Sequence, residues 1–247
     1  MTAKTMREVG EVARAGSAGA DRAVPDGPLL NVGSGPAAAA GWVNMDGSWQ
    51  ARLAGHPLVA RLVSAVLGVE VGHWPRAVIY RNVKRGLGYA DGSVAAVYAS
   101  HLVEHLYRDE ALALLRDARR ALKPGGVCRV VVPDVAAIVG WYLANQREPA
   151  AQKTQPSSDL LMGMMLLRPA RSRGRGLLGL VRQWTDLHEH KWMYDEEGLA
   201  ALFAEAGFSE PSPRRYLESA IDRDRLAQVE QADRVCNGAG VCVEARR

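Results

Sequence analysis

The chain has 247 residues, 48% of them hydrophobic, and 31 Lys+Arg against 27 Asp+Glu give a net charge of +4. That length suits one large domain or two small ones, and the apolar content excludes a disordered or fibrous chain. No run approaches the roughly 18 apolar residues of a membrane helix, the first residues form no signal-like apolar stretch, and three cysteines argue for a reducing cytoplasm over a disulfide framework.

In chain order, residues 1–27 are rich in Ala, Gly and charge and read as an N-terminal arm, flexible or covering. After Pro25-Asp-Gly-Pro28, Leu29-Leu-Asn-Val32 is a short buried strand broken by Gly33-Ser-Gly35. Gly41-Trp-Val-Asn-Met-Asp46 is a second strand with an acid at its end. Val59, Leu62, Val63 and Val66 fall at helical spacing, which predicts a helix over 56–67 with Pro57 in its first turn. Ala77–Tyr80 and Val94–Ala99 are further strands, separated by the loop Gly86–Gly92. Leu112, Leu115 and Leu122 mark a helix ended by Lys123-Pro-Gly-Gly126, and Val127–Val132 is a β-branched strand closed by Pro133-Asp134.

The segment 141–190 breaks this rhythm and reads as an insertion or lid on a domain spanning 28–247. A helix over 196–206 follows, with Asp195 as N-cap, Gly207 as stop, and Leu199, Leu202, Phe203 and Ala206 facing the core. Val241–Ala245 is a last strand after an Asn237-Gly238 turn. Strands alternating with helices imply a mostly parallel sheet covered on both faces.

The basic excess is local. Arg168, Arg171, Arg173, Arg175 and Arg182 lie in one stretch without an acid, and the rest of the chain carries −1. A nucleic-acid binder spreads its cations over a face. The distribution therefore argues against a nucleic-acid partner and leaves 168–182 either closing over an anionic acceptor or solvated.

Gly33-x-Gly35 after a strand lets a ligand approach the backbone, and Asp46 is placed to accept from ribose hydroxyls. A dinucleotide fingerprint expects its acid about 20 residues on, whereas Asp46 follows Gly35 by eleven. The crossover is short for a helix that docks a pyrophosphate. A ligand with ribose but no phosphate fits, which describes S-adenosylmethionine.

Leu30-Asn-Val-Gly-Ser-Gly35 and Gly41-Trp-Val-Asn-Met-Asp46 resemble the first two motifs of class I S-adenosylmethionine-dependent methyltransferases of the type 11 kind. Lys84–Ser93 resembles that family's "gLPFpDnSfD" loop, Ser100-His-Leu-Val-Glu-His-Leu106 its "s-H-x-L-E-H-l" segment, and Leu122–Gly126 its "L-k-P-G-G" turn. His190-Lys-Trp-Met-Tyr194 and 216–247 resemble a subgroup encoded beside glycan or secondary-metabolite genes. The resemblance implies a Rossmann-like, mostly parallel seven-stranded sheet with helices on both faces and an antiparallel C-terminal strand. It departs from the family at Asn31 and Asn82, where acids are usual, and at Gly88, Ala90 and Val94, which replace Pro, Pro and Phe.

Methyl transfer from a sulfonium is an in-line displacement, so the protein aligns the acceptor and, for a hydroxyl, removes its proton. Ligands of open α/β sheets lie beyond the strands' carboxyl ends. That places Asn31, Gly33, Gly35, Asp46, Asn82, Leu87 and Ser100 at the cofactor. His101 leads as general base, with His105 one turn along a helix starting near His101, then His188 and His190. Glu104 reads as a helix anchor and Asp134 as a possible helix cap.

His188-Glu-His190 cannot chelate one ion as three adjacent residues, so no metal is expected. Trp184, Trp192 and Tyr194 either wall an acceptor pocket or fill core. Met162–Met165 reads as core filler, and Cys236 and Cys242 as packing residues.

The reading is a cytoplasmic enzyme methylating a small-molecule or sugar acceptor, anionic if the arginines engage it, with no membrane partner and room for a homodimer. Its rivals are a nucleic-acid methyltransferase, an NAD-linked oxidoreductase and a silent cofactor-binding relative.

Overall fold

The computed structural model describes residues 23–53, 56–67, 74–149, 152–153, 155–166, 189–235 and 240–247. Most of the expected arm, His188, Trp184, Cys236, the Asn237-Gly238 turn and the Arg168–Arg182 stretch lie outside the described residues.

The elements are β1 (Leu29–Val32), β2 (Val43–Asp46), α1 (Trp49–Leu53), α2 (Pro57–Leu67), β3 (Val78–Tyr80), β4 (Val94–Ser100), α3 (Arg108–Ala121), β5 (Leu122–Pro133), α4 (Val135–Arg147), α5 (Ser157–Met165), α6 (Glu196–Glu205), β6 (Ser209–Pro213), α7 (Arg223–Leu226), α8 (Ala232–Val235) and β7 (Gly240–Arg246). The strands form one sheet in the order β3-β2-β1-β4-β5-β7-β6. All pairs are parallel except those of β7, which runs antiparallel to β5 and β6. This is the expected seven-stranded α/β sheet.

Alternation along each strand separates two cores. Leu30, Val32, Val97, Ala99 and Val130 pack with Leu115, Leu202 and Phe203 on one face. Leu29, Ala96, Tyr98 and Val131 pack with Trp42, Ile221 and Leu226 on the other. Asp195 caps α6 by accepting from the Gly198 N–H at 2.8 Å, and Gly207 stops it at φ +90°.

Four features differ from the sequence reading or were not visible in it. First, no α-helix starts at His101: a single 3₁₀ turn covers Val103–His105, Leu106 is extended, and α3 begins only at Arg108 behind a capping box of Tyr107 and Glu110. The helix ahead of Lys123-Pro-Gly-Gly126 ends at Ala121, and those four residues run within β5. Second, β6 reads Ser209-Glu-Pro-Ser-Pro213; two prolines mask its strand character, and it is tolerated because it is an edge. Third, α2 forms, yet Leu58 is 80% exposed and Leu62 is also exposed. Periodicity identified a helix face without identifying anything to cover it. Fourth, Met162 on α5 is exposed, so it does not fill core. Residues 141–147 continue α4, and Asp134 caps that helix by accepting from the Ala136 N–H at 2.9 Å.

Arg129 on β5 is fully buried. Its Nε and Nη2 donate to the two carboxylate oxygens of Glu230 at 2.8 and 3.0 Å, and Nη1 reaches Glu244 at 3.3 Å. The remaining donors satisfy the carbonyls of Glu218 and Arg215. One guanidinium thus fastens the segment 215–230 to the sheet's face, close to where Gln228 and Gln231 wall a cavity. Among the described residues no helix is long and apolar enough to cross a membrane.

Candidate active site

The strand order reverses between β1 and β4, the place where open α/β sheets take their ligands. A cavity of about 650 Å³ opens there, at the carboxyl ends of the strands, a volume in the ordinary range for small-molecule sites.

After β1 the chain turns on Gly33 (φ +73°) and Gly35 (φ +58°), left-handed conformations that favour glycine. A Cβ on Gly33 would press on Leu102, while one on Gly35 would meet nothing within 4 Å. Gly35 therefore keeps the cavity wall open. The N–H groups of Gly33 and Ser34 both reach the Met45 carbonyl, at 2.8 and 3.1 Å. That bond tucks the loop over the end of β2 and brings Asp46 to it. Asp46 accepts from the Gly35 N–H with one oxygen (3.0 Å) and from the Ser48 N–H with the other (2.8 Å). A carboxylate accepts about four hydrogen bonds, so each oxygen keeps a lone pair facing the cavity's contents.

Asn82 lines the same wall and caps the 3₁₀ turn Val83–Arg85, accepting from the Lys84 N–H at 3.1 Å. Asn31 also lines the cavity, and its amide donates to Asn44 at 3.0 Å. Asn44 in turn binds the carbonyls of Ala39 and Trp42. A neutral amide network holds the two strand ends where an acid is usual. Leu87 is corrected: it is fully buried in the main core and does not line the cavity. Gly88 at φ +79° has the Arg81 guanidinium where a Cβ would stand, which accounts for the loss of the family's proline. Ser100 ends β4 on the cavity wall, and neither its hydroxyl nor that of neighbouring Tyr98 makes a well-formed hydrogen bond.

His101 follows β4 at φ +52°, a conformation rare outside glycine and often found at functional sites. His101 precedes the 3₁₀ turn, and its left-handed backbone turns the ring toward Glu104. Its Nδ1 stands 3.2 Å from Glu104 Oε1, off the line of a formed hydrogen bond, and its Nε2 has no partner. Glu104 is fully buried, and His105 lines the cavity with its ring edge-on to His190 at 4.9 Å. Burial holds the His190 imidazole below its usual pKa, opposed by the Glu104 charge. The structure thus gathers His101, His105 and His190 around one carboxylate, with His101 and His105 on the cavity side.

The family model described as "Methyltransferase domain" matches residues 30–130, the stretch from β1 through most of β5. The match covers less than half of the chain and points to S-adenosylmethionine as the cofactor. No curated protein matches the chain. Among solved structures it is similar to an S-adenosylmethionine-dependent methyltransferase of Thermotoga maritima (17% identity, 90% of this chain and 83% of that one, TM-score 0.45). One of Archaeoglobus fulgidus is 12% identical over 90% of this chain and 86% of that one, with a TM-score of 0.44. PigF with SAH is 13% identical over 89% of this chain and 50% of that one, with a TM-score of 0.43. The fold assignment stands on the strand order and registers given above.

Several residues on the methyltransferase's cavity carried no motif. Tyr98 projects from mid-strand, and Lys191, Gln228, Gln231 and Arg234 arrive from far along the chain. Only the three-dimensional return of 215–235 over the sheet brings them there. Of the two readings for the aromatics, Tyr194 takes the core one, bridged to Asp134, while Trp192 is 48% exposed, and neither lines the cavity.

Proposed function

We propose that the enzyme methylates a hydroxyl oxygen of a small polar acceptor, a metabolite or sugar carrying negative charge, with His101 as the general base. The observation that carries this is the placement of His101, on the cavity wall with a fully buried carboxylate behind its Nδ1 and an unpartnered Nε2. The nearby Glu104 carboxylate stabilises the imidazolium that forms when the ring takes a proton. A hydroxyl needs that help, whereas a neutral amine attacks without it.

The residues present fit the cofactor. Gly33 and Gly35 admit close approach, Asp46 has lone pairs for two ribose hydroxyls, and the Ser100 hydroxyl stands on the wall beside that of Tyr98. When bound, S-adenosylmethionine supplies a methyl group already activated on a sulfonium. Asn82 would close the adenine side. Gln50, Gln228 and Gln231 suit an acceptor rich in hydroxyls, and Lys84, Lys191 and Arg234 outnumber Asp46 among the formal charges of the lining.

The test incubates purified protein and isotopically labelled methyl donor with a metabolite extract of the encoding organism, with products read by mass. His101→Gln should lower turnover of the labelled product by roughly 10²–10⁴-fold while S-adenosylmethionine affinity stays within about threefold. Turnover unchanged in His101→Gln overturns the base assignment, and a product methylated on nitrogen overturns the acceptor class.

A further inference from the structure

Beneath the cavity wall lies a cluster that methyl transfer does not require. Glu104 and His105 come from the 3₁₀ turn after β4, and His190 from the segment that returns to the sheet ahead of α6. Each offers one ligating atom, and these atoms all lie within 4.8 Å of one another. Glu104 is 0% exposed and His190 6%. Neither oxygen of Glu104 accepts a hydrogen bond, and His190 Nδ1 also has no partner. A buried, unsolvated carboxylate is among the least favourable groups a fold can hold unless a cation or donors complete it. His101 attracts it from one side without completing a hydrogen bond.

The backbone builds this arrangement deliberately. The N–H groups of Lys191 and Trp192 both donate to the Glu104 carbonyl, at 2.7 and 3.2 Å, and the His190 N–H donates to the Leu166 carbonyl at 3.0 Å. His105 Nδ1 stands 3.2 Å from the Glu189 carbonyl. A carbonyl only accepts, so Nδ1 carries the proton and Nε2 keeps a free lone pair. Such an outer hydrogen bond from the non-ligating nitrogen fixes the tautomer of metal-binding histidines.

We propose that Glu104, His105 and His190 bind one divalent transition-metal ion of the zinc class. Two imidazoles and one carboxylate select that class over magnesium or calcium, which favour all-oxygen shells. The ion would complete the buried Glu104 carboxylate and cross-link the end of β4 to the segment at 189–192. It would leave one carboxylate oxygen for His101, since a carboxylate has acceptor sites for both. The triple His188-Glu189-His190 is not this site: two of its members are replaced by residues from the other end of the cavity wall.

The untagged full chain, freed of metal by chelator and dialysis, is titrated with Co(II) and with Zn(II), and circular dichroism with a cooperative thermal transition confirms that it is folded. The expected result is one equivalent bound per chain, d–d absorption bands of a low-coordinate Co(II) site, and a melting temperature that rises with free metal. Glu104→Gln and His190→Gln should each weaken binding by 100-fold or more; His105→Gln serves as a further variant if either fails to fold. Uptake below half an equivalent by the folded wild-type chain overturns the proposal, as does stoichiometric tight binding retained in two folded variants. Metal uptake without cofactor binding would refute the cofactor assignments and leave the metal site standing.

Discussion

Arg129→Met keeps most of the buried stem and removes the guanidinium. The change deletes five hydrogen bonds and leaves Glu230 and Glu244 in the protein interior without their cation. Glu244 retains the Ser219 hydroxyl and the Ala220 N–H, while Glu230 retains the Leu217 N–H, so the loss falls mainly on Glu230. Stripping one partner from a buried ion pair costs about 3–5 kcal/mol. At roughly 2–4 °C per kcal/mol for a chain of this size, the melting temperature should fall by roughly 6–20 °C. Chemical denaturation and scanning calorimetry measure this, and Arg129→Met/Glu230→Leu should recover part of the loss by removing the stranded carboxylate. A loss below about 1 kcal/mol, or a double variant less stable than the single, would refute the reasoning.

Gly35→Val places a branched side chain where the cavity is open, so S-adenosylmethionine affinity should fall by at least 10-fold while the melting temperature drops by no more than the strain of a left-handed valine, about 1–2 kcal/mol; undiminished affinity in calorimetry would remove Gly35 from the site. Burial pushes the Cys242 thiol up to about 12 and raises Cys128 as well, so iodoacetamide should leave both unmodified in the native chain at pH 8 and label them after denaturation. Because folding raises both values, deprotonation favours the unfolded chain: their contribution to stability is intact below the ordinary thiol pKa of about 8.5 and is lost as pH rises beyond it. Denaturation midpoints at pH 7 and pH 9.5 should differ in that direction, and by less in Cys242→Ser.

Local signals carried the frame. The strand–Gly-x-Gly–strand–Asp spacing located the crevice because backbone geometry after β1 is written in two glycines one residue apart, and Asp195 and Gly207 bounded α6 because caps are local chemistry. The turn at His101 was not legible: Leu102 through His105 has helical composition, and only the positive φ of His101 and the extended Leu106 forbid a helix. β6 hid behind its prolines, and Asn44 behind an ordinary strand position. The Glu104–His105–His190 cluster and the wall of Gln228, Gln231 and Arg234 depend on distant segments returning to the sheet, which no local pattern encodes.

The central claim is that the crevice between β1 and β4 binds S-adenosylmethionine through Asp46. Calorimetric titration of the cofactor into the wild-type chain and into Asp46→Ala tests it most directly. Hydrogen bonds to a charged carboxylate are worth about 1.5–3 kcal/mol each. With two ribose hydroxyls at stake, binding should be one-to-one in the wild type and weaker by roughly 100-fold or more in Asp46→Ala. Equal affinity in the two proteins, or no binding to the folded wild type, would contradict it.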